Sequence, residues 1–193
     1  MNKFENFTLN SDGYIVNNSW IEWEHFLIPN KPKLLRDVIR SIMAFLGHCE
    51  KCTALDGCFL MDNNRPDFPL HQNCDCERKN IGFEKVKTMS MAELPIIKLT
   101  KYIFKSLDES KGKQNLFESW GYTINDANEI KTDMENQAKI NYIEGRYVLK
   151  GLDRYGQRLA IPIELNGNIF YSGWMLEPEG KIRNTTPFGG WVK

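Results

Sequence analysis

The stretch CEKCTALDGCFLMDNNRPDFPLHQNCDC, residues 49–76, holds all five cysteines of the chain and one of its three histidines. Such crowding narrows what the region can fold around. Cys49 and Cys52 form a C-x2-C pair, a spacing that lets one tight turn present two thiolates to one ion. The HQNCDC run adds His71, Cys74 and Cys76, and Cys58 lies between the two groups. A tetrahedral zinc site takes four ligands, usually as two close pairs. The spacing therefore predicts a structural Zn2+ held by Cys49, Cys52 and Cys74, with His71 or Cys76 in the fourth place. Disulfides compete with this reading, but they need an oxidising compartment and an odd cysteine count leaves one over. A catalytic thiol or catalytic metal would want an open position and a nearby carboxylate base. Asp56, Asp62 and Asp75 are near in sequence, yet a loop rich in Asp and Asn is commonly just solvated.

The compartment follows from what the rest of the chain lacks. No stretch approaches the ~18 apolar residues of a membrane span, and MNKFENFTLNSDGYIV carries no apolar signal-peptide core. A reducing cytoplasm is expected, which favours metal over disulfide. Lys plus Arg and Asp plus Glu number 25 each, so the formal net charge is zero. That removes the strong electrostatic term of nonspecific nucleic-acid binders and leaves only local patches.

The cysteine pattern, C-x2-C-x-x-L-D-G followed by P-x-H-x-x-C-x-C, resembles the module near the end of phage minor head proteins of the Mu F-like head morphogenesis family. The resemblance covers about residues 48–80; Asp75 stands where family members tend to have arginine. It implies a phage-derived zinc-binding protein that acts through protein contacts. Its setting would be a bacterial cytoplasm or a phage particle, and its partner a particle component. No membrane and no small-molecule cofactor are expected.

Around that module the chain reads as two units. Residues 1–80 hold Trp20, Trp23 and a predicted amphipathic helix, KPKLLRDVIRSIMAFLG (31–47), with apolar residues at three-to-four spacing. Eighty residues barely supply a core, so zinc would stand in for one, and chelation should unfold this unit while sparing the other. Residues 81–93 are polar and read as a linker. From 94 to 193 the period changes from helical to alternating. Helices are predicted over 95–104, 111–122 and 125–139, the last capped by Asn125 and apolar at Ala127, Ile130, Met134 and Ala138. INYIEGRYVLKGL, RLAIPIEL, NIFYSGWMLE and KIRNTTPF read as strands, with Asn166-Gly167 a hairpin turn. Helices followed by a three- or four-stranded antiparallel sheet define an α+β fold.

IIKLTKYIF, KGKQNLFESWGYT, RYVLKGLDRYGQRLAIPIE and GWMLEPEGKIRNTTPF are similar to uncharacterised bacterial domains at the C-termini of large secreted toxins and some phage head proteins. Lys113, four residues before Phe117, fills a lysine position typical of these domains, and Trp174 and Thr185 or Thr186 match others; Gln114 replaces their usual alanine. The architecture also resembles the barnase–EndoU–colicin–RelE superfamily of toxin ribonucleases. That likeness implies an alternative function, RNA cleavage without metal, with an immunity protein as partner. Cleavage by a 2′-hydroxyl needs a base, an acid and a cation for the developing phosphate charge. The second unit has no histidine, the three being His25, His48 and His71. Lys98, Lys113, Arg183 and the Thr185 hydroxyl would share these roles. On a bland reading the same lysines face water, Trp20, Trp23, Trp120 and Trp174 are core or interface anchors, and Trp191 belongs to a docked or loose tail.

Overall fold

A computed structural model of the chain describes residues 7–9, 15–17, 20–25, 49–68, 70, 76–105 and 112–192. The predicted helix over 31–47, together with His48, His71 and Cys74, lies outside them.

The architecture is α+β. Strands β1 (Phe7–Leu9) and β2 (Ile15–Asn17) pair antiparallel. Strand β3 (Trp20–His25) then lies between β4 (Phe59–Met61) and β5 (Cys76–Ile81) in a second antiparallel sheet. Helix α1 (Glu50–Leu55) precedes β4. The stretch 81–93, read from sequence as a linker, holds helix α2 (Phe83–Met89) and strand β6 (Met91–Glu93). A π-helical turn (Leu99–Ile103), α3 (Lys113–Ser119) and α4 (Ala127–Ile143) follow.

The third sheet has the order β6-β10-β9-β8-β7. Strands β7 (Val148–Asp153), β8 (Gly156–Leu165), β9 (Asn168–Leu176) and β10 (Lys181–Trp191) form the antiparallel part. To the expected four strands β6 adds a fifth, parallel to β10. The Asn166-Gly167 turn is as read: φ is 46° and 74°, the doubly left-handed pair a two-residue hairpin needs.

Helix α4 buries the face anticipated for it, with Ala127, Ile130, Met134 and Ala138 inward. It runs on through 140–143, a segment read from sequence as strand, because Tyr142 continues the buried stripe four residues past Ala138. Its entry differs too. Thr123 caps the short 3-10 turn leading into it, with Asp126 returning the bond, where Asn125 was expected. The helix packs against the alternate inward residues Leu159, Ile161, Ile163 and Leu165 of β8.

The described residues share one hydrophobic core, which runs from Trp20 and Phe59 through Tyr142 to Trp174 and Ile182. The cysteine-bearing hairpin plugs into the α4–β7 joint. Tyr142 Oη donates to the Phe59 carbonyl at 2.5 Å, and its ring meets Trp20 edge-on at 5.3 Å. Tyr147 Oη accepts the Met61 N–H at 3.0 Å and donates to the Asn64 carbonyl at 2.9 Å. Burial raises the pKa of both phenols well above the ordinary tyrosine value, so they remain neutral donors. Gly180 marks a second point of contact. A Cβ there, at φ 75°, would lie 2.9 Å from the Phe59 ring and 3.3 Å from the Ser90 backbone. The boundary read at 81–93 therefore does not separate two cores.

Candidate functional site

Two places carry chemistry, the cysteine turn and the exposed region around β10. At the first, Cys49 is the N-cap of α1 and its Sγ accepts the Cys52 N–H at 3.4 Å. Cys52, Cys58 and Cys76 are buried, Cys49 is half-buried, and these four are thiols rather than disulfides. Cys76 opens β5 opposite His25 of β3. Among the described residues no three His, Cys, Asp or Glu side chains form a metal-holding group, Cys49, Cys52 and Cys76 included. Cys49 and Cys52 share this turn; His71 and Cys74, read from sequence as further ligands, lie outside the described residues.

The second place is built by a β-bulge. Asn184 of β10 stands opposite Trp174, and Thr186 stands opposite Gly173, so Thr185 is an extra residue with no partner on β9. Bulges re-aim side chains in this way. Thr185 and Thr186 both crowd over Gly173, where a Cβ would meet Thr185 Oγ1 at 3.1 Å and Thr186 Cβ at 3.3 Å. From the core side a polar pair pins the bulge. Asn184 Nδ2 donates to Ser172 Oγ at 2.9 Å, and Ser172 Oγ donates to the Thr186 carbonyl at 3.2 Å. Both side chains are 1 % exposed, so neither hydrogen bond can be replaced by bulk water. Asn184→Ala should cost about 1–3 kcal/mol, the penalty for orphaning a buried polar partner. Urea denaturation measures it; an unchanged midpoint would show that the pair does not hold the bulge.

Strand β6 pairs with β10 only as far as Arg183. Beyond that point the Thr185 carbonyl accepts the Lys98 ammonium at 2.6 Å. Burial pulls the Lys98 pKa below its ordinary value, and nearby Tyr102 partly offsets this. Tyr102 in turn accepts Lys113 Nζ on its hydroxyl at 2.7 Å, with the ammonium 4.6 Å from the ring centroid. Lys98 with Thr185 and Lys113 with Tyr102 are thus two hydrogen-bonded pairs, joined into one polar chain only by the charge interaction of Lys98 with Tyr102. Three of the four residues were legible in the sequence; Tyr102 was missed, although it lies one helical turn after Lys98. Arg183 stands apart from this chain. Glu177 holds it at 3.0 Å and Glu93 lies 3.7 Å away, which neutralises it.

The tryptophans follow the bland reading in part. Trp20, Trp23 and Trp174 are fully buried, while Trp120 and Trp191 stack in an aromatic group with Phe170 and Phe188. Among the described residues no helix is long and apolar enough to cross a membrane. Compared with known proteins, the chain matches no family model, no curated sequence and no solved structure.

Proposed function

We propose that the chain is a toxin-type ribonuclease that cleaves RNA through the 2′-hydroxyl without a catalytic metal. The Lys98–Tyr102–Lys113–Thr185 chain supports this reading above any other observation. In the reaction the 2′-oxygen attacks the adjacent phosphorus and the 5′-oxygen leaves, giving a 2′,3′-cyclic phosphate and a 5′-hydroxyl. Lys113 supplies the fixed cation for the charge that grows on the phosphate oxygens. Lys98, with its lowered pKa, exchanges the proton, and Tyr102 links the two ammonium groups. The Thr185 hydroxyl, set forward by the bulge, orients the phosphate. Arg183 holds β10 to its carboxylate partners rather than acting on substrate. Expression of the full chain in a bacterial cytoplasm tests the proposal. Growth arrest with fragmented RNA, relieved by Lys113→Ala, is expected; equal, normal growth of both strains would refute it.

The cysteine turn and the exposed apolar side chains beside β6 favour a second role, protein contact, in line with a phage-derived module. Met91 and Ile97 are 53 % and 52 % exposed, large apolar side chains left open to a partner. A particle component or an immunity protein would cover them. In this role the zinc module is structural, with Cys49, Cys52 and Cys74 as ligands. His71 or Cys76 takes the fourth place. Bound Zn2+ would supply a cross-link and no chemistry. The purified chain should carry one zinc per molecule by elemental analysis, and Cys49→Ser should lose it. Equal zinc content in wild type and Cys49→Ser would contradict this ligand set.

A further inference from the structure

The outer face of the five-stranded sheet, turned away from α4, carries a groove of about 920 Å³. Its floor is low because small residues meet there across three strands. Ala160 of β8 lies opposite Gly173 of β9, which lies opposite Thr186 of β10. Around this floor stand Lys150, Arg158, Tyr155 and Tyr171, and Thr185 closes one end. Thr185 is also the residue whose carbonyl holds Lys98, so the groove and the lysine chain share a residue.

The walls are pre-set rather than loose. Asp153 Oδ1 accepts the Tyr155 N–H at 2.9 Å, while its Oδ2 pairs with Arg158. One carboxylate thereby fixes both the turn that carries Tyr155 and the guanidinium beside it. Arg154 lies over the Tyr155 ring at 4.8 Å and donates to its hydroxyl at 2.7 Å. Tyr155 is nevertheless 69 % exposed, an aromatic surface held in place with nothing described against its remaining area.

Strands β8 and β9 are interior to the sheet, so their backbone groups are already paired. A peptide could not add as a strand over β8 and β9; an occupant lying on them is read by side chains. Planar aromatic rings beside cations and hydroxyls match unstacked bases beside phosphates, the pattern of single-strand binding surfaces. A duplex keeps its bases stacked inward and offers no face to Tyr155 or Tyr171.

We infer that this groove binds unpaired nucleotides of single-stranded RNA, with bases on Tyr155 and Tyr171 and phosphates beside Lys150. The choice of RNA rests on the ribonuclease reading; the choice of unpaired strand rests on the groove itself. The probe is a fluorescein-labelled RNA of about ten nucleotides, 2′-fluorinated so that it cannot be cleaved. Its binding to the full chain is followed by anisotropy, alone and annealed to its complement. Tyr155→Ala should weaken single-strand binding about 5- to 150-fold. Lys150→Glu should weaken it and reduce the salt slope by about one or more. The duplex should bind at least about tenfold more weakly than the single strand. Wild-type affinity in both groove variants, or equal affinity for duplex and single strand, would overturn the inference. The ribonuclease reading fails separately: unmodified RNA left intact, with binding still weakened by Tyr155→Ala, would remove the chemistry and keep the groove.

Discussion

Replacing Lys113 by alanine is expected to lower the rate of RNA cleavage about 10²- to 10⁴-fold, the range for losing one charge-stabilising or proton-transfer group. The side chain is half-buried and its recorded partner is Tyr102, so the fold should survive the change. Lys113→Arg restores a cation but not its shape, and should recover part of the loss. Lys98→Met should produce a loss of similar size with a different signature. Proton acceptance by Lys98 requires its neutral form. Burial lowers its pKa, so the wild-type rate should rise with pH through that lowered value. The rising limb should vanish in Lys98→Met and persist in Lys113→Ala. Rates measured from acid to alkaline pH on one labelled oligonucleotide decide this; an identical pH profile in wild type and Lys98→Met would remove Lys98 from the reaction.

Tyr142→Ala should be the most damaging single change to the fold. The side chain is fully buried, packs edge-on against Trp20, and spends its hydroxyl on the Phe59 carbonyl. Truncating a buried aromatic costs about 3–5 kcal/mol, against a total of roughly 5–15 kcal/mol for a domain. Tyr142→Phe removes only the hydroxyl and leaves the Phe59 carbonyl unpaired, at a cost of about 1–3 kcal/mol. Because one core joins the cysteine hairpin to the sheet, unfolding should be a single transition by near- and far-UV circular dichroism. On the zinc reading, chelation lowers the stability of the whole chain rather than of residues 1–80 alone. Two separate transitions, with only one moved by Tyr142→Ala, would mean that the halves fold independently.

Local pattern explains what the sequence made legible. Ala127, Ile130, Met134 and Ala138 repeat at helical spacing, and α4 buries those residues. Asn166-Gly167 supplies two left-handed conformers, and β8 and β9 turn there. Features set by distant pairing stayed hidden. Strand β6 is three residues of an otherwise polar stretch, MAE, and becomes a strand only because Lys181, Ile182 and Arg183 lie beside it. Residues 140–143, INYI, have the composition of a strand, yet their burial follows the helix before them.

The site divides in the same way. Lysines at 98 and 113 are visible as residue types, but nothing in their spacing announces that Tyr102 will join them. The forward position of Thr185 comes from a register shift between β10 and β9, which no local pattern records. Arg183 looked available until Glu177 and Glu93, from two other segments, were brought against it. The cysteine spacing foretold a turn that presents Cys49 and Cys52 together, and the N–H to Sγ bond is consistent with that turn.

The chemistry of the cut ends tests the central claim most directly. The purified protein is incubated with a single-stranded RNA without added divalent metal ions, and the products are analysed by mass. Fragments ending in 2′,3′-cyclic phosphate and 5′-hydroxyl are expected, none where the nucleotide 5′ to the cut lacks its 2′-hydroxyl, and formed at least about 10²-fold more slowly with Lys113→Ala. Intact RNA, or cleavage that continues past a 2′-deoxy nucleotide, would contradict it.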